Sequence, residues 1–492
     1  MTPPRKPNTS GPNSGQKPKG KPRTGNGPKG PKGQHTNKPK GARPGSNQNG
    51  KPGGNHRGGQ KPQGERPPRK MDPRRAAHRL VCAVLEDGET LADLIGLNGP
   101  LATLEPGDRA RAQRLATETL RNLDPLDDML AQFVERAPAE PVLNVMRIAA
   151  YELAHGEAAY GVVNAAVTQI AAMPRHNRAK GMANAVLRKV ADIAADAWAN
   201  RAPTQLPLWL REPLIMAWGK EAVKAFEAVH AKGAPLDITP RSADLAEPLA
   251  KQLDAVILPS GSLRIDRSVQ VSALPGFESG TWWVQDAAAA IPARLLNAKP
   301  GEKVLDLCAA PGGKTLQLAA AGAEVTALDI SPARTERVSE NLARTGLKAQ
   351  IVTMDALEYT TDGWDAILLD APCSATGTIR RHPDLPYAQD GSGITELIEL
   401  QSRMIDHALS LLKPGGRLVF CTCSLIPDEC EVQVDQALAR HQGLTADKSC
   451  LELAGIDPAW ITQEGGVRLR PDFWAEQGGM DGFYCAVLCK PR

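Results

Sequence analysis

Apolar residues recur every three or four positions from Asp72 to about Asn200, a spacing that predicts helices throughout. Candidate helices cover 78–94, 109–123, 126–135, 142–153 and 182–193. In another, Val163, Ala166, Val167 and Ile170 fall on one stripe. Arg109, Arg111, Arg114 and Arg121 give the second helix a cationic side, read first as a solvated face and second as an RNA contact. The stretch 202–207 breaks the pattern. From there to about Val284 the signals are short and mixed, with helical runs at 208–218, 221–230 and 243–253 and strands at 236–239, 255–258 and 263–265. Beyond Trp283, strands at 304–307, 324–330, 350–354, 365–369, 417–422 and 482–489 alternate with helices. Ser331-Pro332 starts a helix that stops at Gly346, 413–416 is expected to stop the helix 394–412, and 428–440 is the last helix. The whole predicts an α/β, doubly wound, mostly parallel sheet behind an all-α bundle and a small α+β module.

Composition changes this picture at one end. Residues 1–70 hold 17 Lys and Arg against one acid, Glu65, so a tail of +16 precedes a remainder of −12. The tail contains 15 Gly and 14 Pro and no Val, Ile, Leu, Phe, Tyr, Trp or Cys. It cannot bury enough apolar surface to offset ordering entropy, and disorder is expected. Its charge suits a polyanion such as RNA, and a solubilising tail without a partner is the alternative. No stretch approaches the roughly 20 apolar residues of a membrane span, so no membrane partner and a soluble, cytoplasmic protein are expected. The nine cysteines, all after residue 81, are expected as free thiols. Cys421 and Cys423 lack a second pair at zinc spacing, so no metal is expected.

The chemistry gathers at 304–315, VLDLCAAPGGKT, which reads as strand, Gly-rich turn and helix. A phosphate loop would need Gly at the position of Cys308, and no GxGxxG is present. A cradle for an adenosyl ligand without pyrophosphate remains, and S-adenosyl-L-methionine is the commonest such ligand. Three acids stand at successive strand ends: Asp329 for ribose hydroxyls, Asp355 for an adenine amine, and Asp370. Acids in these places also serve merely to cap the helices that follow.

Cys373 and Cys423 each lie just past a strand end. Such a Cys is often a small buried hydrophobe. Beside a cofactor cradle a thiolate is also a nucleophile, and Lys314 is the candidate cation that would lower its pKa from about 8.5. Methyl transfer to nitrogen or oxygen needs no thiol. Carbon-5 of a pyrimidine does, because thiolate addition at C6 makes C5 nucleophilic, and Asp370 is the candidate to stabilise protonated N3. The base must leave its stack to reach such a pocket.

Five segments together resemble the RNA cytosine-C5 methyltransferases, most closely the bacterial small-subunit rRNA enzymes of the RsmB (Sun/Fmu) type. They are QDAA at 285–288, DLCAAPGGKT at 306–315, DAPCSATGTIRRHPDL at 370–385, CTCS at 421–424 and DGFY at 481–484. GVVNAAV at 161–167 and GMANAVLRK at 181–189 resemble the NusB-like domain of those enzymes, so the likeness spans about residues 72–492. Ala165 and Ala290 depart from the family pattern, which has Glu and a polar residue there.

The resemblance implies Cys423 as nucleophile and Cys373 as the thiol that helps release product. It places cofactor contacts at Cys308, Ala309, Ala310, Pro311, Gly312, Gly313, Lys314, Asp329, Asp355 and Asp370. The expected division is a basic tail at 1–70, a NusB-like helical RNA-binding domain at 71–200, a small α+β RNA-docking domain at 201–284 and a Rossmann-like S-adenosylmethionine methyltransferase domain at 285–492. The expected partner is RNA, as 16S rRNA or a small-subunit assembly intermediate, and the expected state is a monomer. One rival is a non-catalytic RNA-binding or assembly factor, against which the intact cysteines, acids and Gly-rich turn argue. The other is an NAD-dependent enzyme, disfavoured by the missing GxGxxG.

Overall fold

The computed structural model describes residues 71–96, 99–267 and 269–492, and the expected disordered tail lies outside them. Helices Pro73–Asp87, Leu91–Leu94, Pro106–Arg121, Leu123–Ala131, Glu140–Ala154, Ala159–Ala171 and Lys180–Ala199 come first. Asp72 caps the first of these, accepting from Arg74 N at 3.1 Å. The periodicity predicted one helix over 78–94. It is two, because Gly88 takes φ 71° and Thr90 caps a new turn by accepting from Asp93 N. Val163, Ala166 and Ile170 are buried as their stripe predicts, and Val167 is half-buried. Arg121 departs from the expected solvated side: it is buried, and its Nη1 donates to the carbonyls of His230 at 2.9 Å and Arg380 at 2.6 Å.

Helices Leu208–Trp218, Lys220–Lys232 and Ala246–Leu253 accompany a small antiparallel sheet. Its strands are β1 (Leu236–Pro240), β2 (Val256–Ile257), β3 (Leu263–Ile265) and β4 (Trp282–Val284), in the order β2-β3-β1-β4. Strand β4 was not foreseen, because Trp282-Trp283-Val284 shows no apolar–polar alternation. Burial of Trp282 and Trp283 and the pairing of Ile238 with Val284 fix it.

The larger sheet holds β5 (Lys303–Leu307), β6 (Glu324–Asp329), β7 (Gln350–Thr353), β8 (Trp364–Asp370), β9 (Leu412–Thr422), β10 (Thr445–Ala446), β11 (Gly466–Leu469) and β12 (Phe483–Cys489). Its order is β10-β12-β9-β8-β5-β6-β7, with β11 also on β12. Strands β5 to β9 run parallel and β12 lies antiparallel to β9, which makes a Rossmann-like sheet with an antiparallel edge. Residues alternate between its two faces. Ile367 and Leu369 pack toward helix Ile394–Leu411, and Ala366 and Leu368 toward helix Ile291–Leu296. Burial of each large member contributes about 1.5–3 kcal/mol. The expected stop at 413–416 falls inside β9, which begins at Leu412 directly after the helix. Those residues find strand partners from the far end of β12: Lys490 N donates to Gly416 O at 2.9 Å and Gly415 N to Pro491 O at 3.2 Å. The strand order reverses between β5 and β8, and folds of this kind bind ligands outside that point.

Candidate active site

The turn after β5 is shaped by backbone conformations few residues accept. Cys308 takes φ 61° and Gly312 φ 103°, and a Cβ at Gly312 would lie 3.3 Å from Val338 Cγ1. Helix Gly313–Ala320 then starts, and a Cβ at Gly313 would lie 3.3 Å from Gln285. Thr315 Oγ1 donates to Asp306 Oδ2 at 2.6 Å, tying this helix to β5. Burial is the main cause that pushes the Asp306 carboxyl up to about 7, against the pull of Thr315 and Lys314.

The acids foreseen at the strand tips take up different tasks. Asp329 is buried at the end of β6 and accepts from Ala310 N at 3.2 Å and Ser331 N at 3.1 Å, so it braces the Gly-rich turn. Asp355 stands apart and caps its own turn, accepting from Leu357 N at 2.9 Å. Asp370, at the tip of β8, receives Lys314 Nζ at 2.8 Å on one oxygen and lies 3.5 Å from Cys421 Sγ on the other. Next to Asp329 and Asp355, Ile330 is 64% and Met354 40% exposed, large apolar side chains left open at the tips of β6 and β7. Apolar walls beside carboxylates, and a turn with little space for side chains, fit an adenosyl group.

The two thiols meet. Cys373 follows β8, Cys423 follows β9, and their Sγ atoms lie 3.5 Å apart. The contact with Cys423 is the first cause that pushes the Cys373 thiol well above its ordinary range, followed by burial and by the charges of Cys423 and Glu429. Cys373 therefore keeps its proton at neutral pH. Lys314 does not serve the thiols as expected. Its ammonium is taken by Asp370 and lies 5.0 Å from the centre of the Phe483 ring. Arg381 is paired with Asp481.

Several residues that hold this geometry escaped the sequence reading. Arg380 is fully buried and donates to Asp286, to Asp481 at 2.8 Å and to Gly478 O at 3.0 Å. Burial opposes the charge on Asp286, but Arg380 and Arg381 hold its carboxyl at about 2. Gly377 N donates to Cys423 O at 2.9 Å and Gly482 N to Gly377 O at 2.8 Å, a contact so close that a Cβ at Gly377 would sit 2.0 Å from Gly482 O. Glu429, also fully buried, accepts from Ser374 and Ser424, the residues that follow the two thiols. The DGFY segment was a signal for Asp481 and Gly482, and RRHPDL for Arg380. Nothing in the periodicity marked Glu429. No cluster of His, Cys, Asp or Glu among the described residues is arranged to hold a metal, and no helix among them is long and apolar enough to cross a membrane.

A family profile described as "16S rRNA methyltransferase RsmB/F" matches residues 293–489, and one described as "NusB family" matches 71–192. Ribosomal RNA small subunit methyltransferase B of Erwinia tasmaniensis is 34% identical over 438 residues, covering 84% of this chain and 97% of that protein. The protein of the same name in Pseudomonas syringae pv. tomato is 34% identical over 447 residues, covering 85% and 97%. Among solved structures, PH0851 superposes with TM-score 0.65 at 22% identity, over 85% of this chain and 99% of that one. NSun6 from Pyrococcus horikoshii with SFG gives TM-score 0.51 at 21% identity, over 58% and 98%. These two likenesses concern the fold.

Proposed function

The chain belongs to the 16S rRNA methyltransferase family RsmB/F, and on that premise we propose that it methylates C5 of a cytosine in 16S rRNA through a bond between Cys423 Sγ and C6 of the base. The observation that carries this reading is the pair of thiols 3.5 Å apart at the tips of β8 and β9, beside Asp370. A nitrogen or oxygen acceptor would leave both thiols without a task, whereas C5 needs one to attack C6 and gains from a second that eases its departure.

Cys423 adds to C6, and Asp370 is assigned to N3, where it favours the protonated ring that makes C6 electrophilic. When bound, S-adenosyl-L-methionine supplies the electrophilic methyl that the activated C5 takes. The turn 308–314 and Asp329, Asp355 and Asp370 are assigned to holding it. Solvent takes the C5 proton, and the electron pair of that C–H bond re-forms the C5–C6 double bond and expels Cys423 Sγ as a thiolate. The S–H of Cys373, which keeps its proton, hydrogen-bonds to the departing sulfur. The helical part within 71–200, the α+β part within 201–284 and the +16 tail are assigned to RNA docking.

Bisulfite sequencing of 16S rRNA from cells with and without the gene tests this. One cytosine should resist conversion only when the gene is present. An unchanged pattern of resistant cytosines overturns the reading.

A further inference from the structure

A contact between two thiol sulfurs is weak, because S–H is a poor donor and sulfur a poor acceptor. Their 3.5 Å spacing must therefore be imposed by the loops that carry them. Glu429 lies in the short 3-10 turn Pro427–Glu429, fully buried, and meets no cation at ion-pair distance among the described residues. Its carboxylate accepts four hydrogen bonds from neutral groups. Oε1 takes Ser374 N at 2.8 Å and Gln401 Nε2 at 3.1 Å, and Oε2 takes Ser374 Oγ and Ser424 Oγ, each at 2.5 Å.

Ser374 and Ser424 directly follow Cys373 and Cys423. Gln401, from helix Ile394–Leu411, also donates to Pro372 O at 2.8 Å, so Cys373 is gripped on both sides. Thr376 completes the link: its Oγ1 accepts from Leu425 N at 2.9 Å and lies 3.3 Å from Ser424 Oγ. A buried carboxylate is tolerated only when it is well hydrogen-bonded, and hydroxyls bonded to an anion are held more firmly than neutral pairs. Glu429 makes no hydrogen bond to either thiol among the described residues; its charge helps keep Cys373 protonated, and its hold on the thiols' positions runs through Ser374 and Ser424.

We propose that Glu429 is a positioning residue for the transfer, its carboxylate fixing Ser374 and Ser424 and, through them, the spacing of Cys373 and Cys423. The inference rests on the two-thiol reading above. A carboxylate suits the task because one oxygen accepts two hydroxyls at once. An amide in its place makes both hydroxyls turn round to accept, which the Ser424 hydroxyl, already accepting from Ile426 N at 3.0 Å, does only in part.

The test measures thiol spacing without RNA. Diamide added to the full-length protein takes up two electrons and two protons as Cys373 and Cys423 close to a disulfide, identified by the mass of the linked peptide. Glu429→Ala should slow closure at least about tenfold and lower kcat about 10²-fold with KM for S-adenosyl-L-methionine unchanged, the scale of a small misplacement of reacting groups. Glu429→Gln should restore part of both. A folded Glu429→Ala protein that closes at the wild-type rate overturns the proposal. Should that variant not fold, Ser374→Ala and Ser424→Ala each remove one arm of the link and should each slow closure, and wild-type rates in both overturn it. Slow closure in the variants, where the wild-type protein itself makes no 5-methylcytosine, supports the positioning role while removing the reading beneath it. Normal closure in variants that still make 5-methylcytosine does the reverse.

Discussion

The loop after β8 and the loop after β9 bring a thiol to the same place but are anchored differently. The first runs through Arg380, whose guanidinium joins Asp286 and Asp481 and whose carbonyl is held by Arg121 from the helix Pro106–Arg121. The second is held by Arg468, which donates to Ser424 O at 2.6 Å and to Glu431 at 2.9 Å. The Arg468 guanidinium lies 5.1 Å from the Trp218 ring and 5.2 Å from Tyr484. Cys373 is thus wired through Arg380 to the helix Pro106–Arg121, and Cys423 to β11 and to two rings, one of them Trp218 of the helix Leu208–Trp218. A change in the helical part of the chain should be felt at Cys373 first.

The comparison breaks most sharply at the thiols themselves. Cys423→Ala should reduce methyl transfer to background and leave the affinity for S-adenosyl-L-methionine unchanged by calorimetry, because the lost atom attacks the base. Cys373→Ala should leave the attack intact and hinder release, so a covalent protein–RNA adduct should build up as a slow band on a denaturing gel. The double variant should lose that band. A band trapped by Cys423→Ala instead would exchange the two roles.

The anchors give the next effect. Arg380→Met strips buried Asp286 of its ion-pair partner and leaves buried Asp481 with Arg381 alone, and should cost about 3–5 kcal/mol in denaturant unfolding. Arg468→Met should cost less, since Glu431 keeps 16% of its side-chain surface in water and can stay hydrated. Equal losses would mean that the two loops are anchored alike.

The smallest effect is a pH dependence at the first anchor. His230 is buried beside Arg121 and Arg380, neither ring nitrogen has a partner among the described residues, and burial first and those two cations second push it down to about 3. Its folded value lies below the ordinary 6.5, so between about pH 3 and 6.5 the unfolded chain binds the extra proton. Stability from this residue is therefore present above 6.5 and is lost as pH falls. Asp306, pushed up to about 7, works oppositely: the folded state binds the extra proton, and stability is lost as pH rises from about 4 to 7. Comparing wild type with His230→Leu at each pH cancels the Asp306 contribution. The melting temperature of the variant should gain on that of wild type as pH falls below 6.5, and a constant difference would exclude His230.

What the sequence disclosed was local. A strand, a Gly-rich turn and a helix are neighbours along the chain, so the turn at 308–314 and the acids at strand tips could be found from spacing alone. Cys373 and Cys423 were legible because each follows a recognisable strand end, and a parallel sheet puts such ends on one edge. Glu429 was not, because it reads as an ordinary acid at a helix start and gains its meaning only from Ser374, 55 positions away. Lys314 was given to the thiols because it is a cation near them in the pattern, yet Asp370 is nearer in space. Arg121 looked like surface for the same reason: its partners, two backbone carbonyls, carry no sequence signature.

The pairing of β12 with β9 has a consequence for the chain while it is being made. Strand β9 ends at Thr422, and its outer partner starts only at Phe483. At about 5–20 residues per second, some 3 to 12 seconds separate the two during synthesis. Through that interval the outer edge of β9 is bare, Gly377 lacks Gly482, and Arg380 lacks Asp481. A nascent chain at this stage offers an unpaired apolar strand edge to any neighbour, so a ribosome stalled before Phe483 should expose a binding site for chaperones that the finished protein hides.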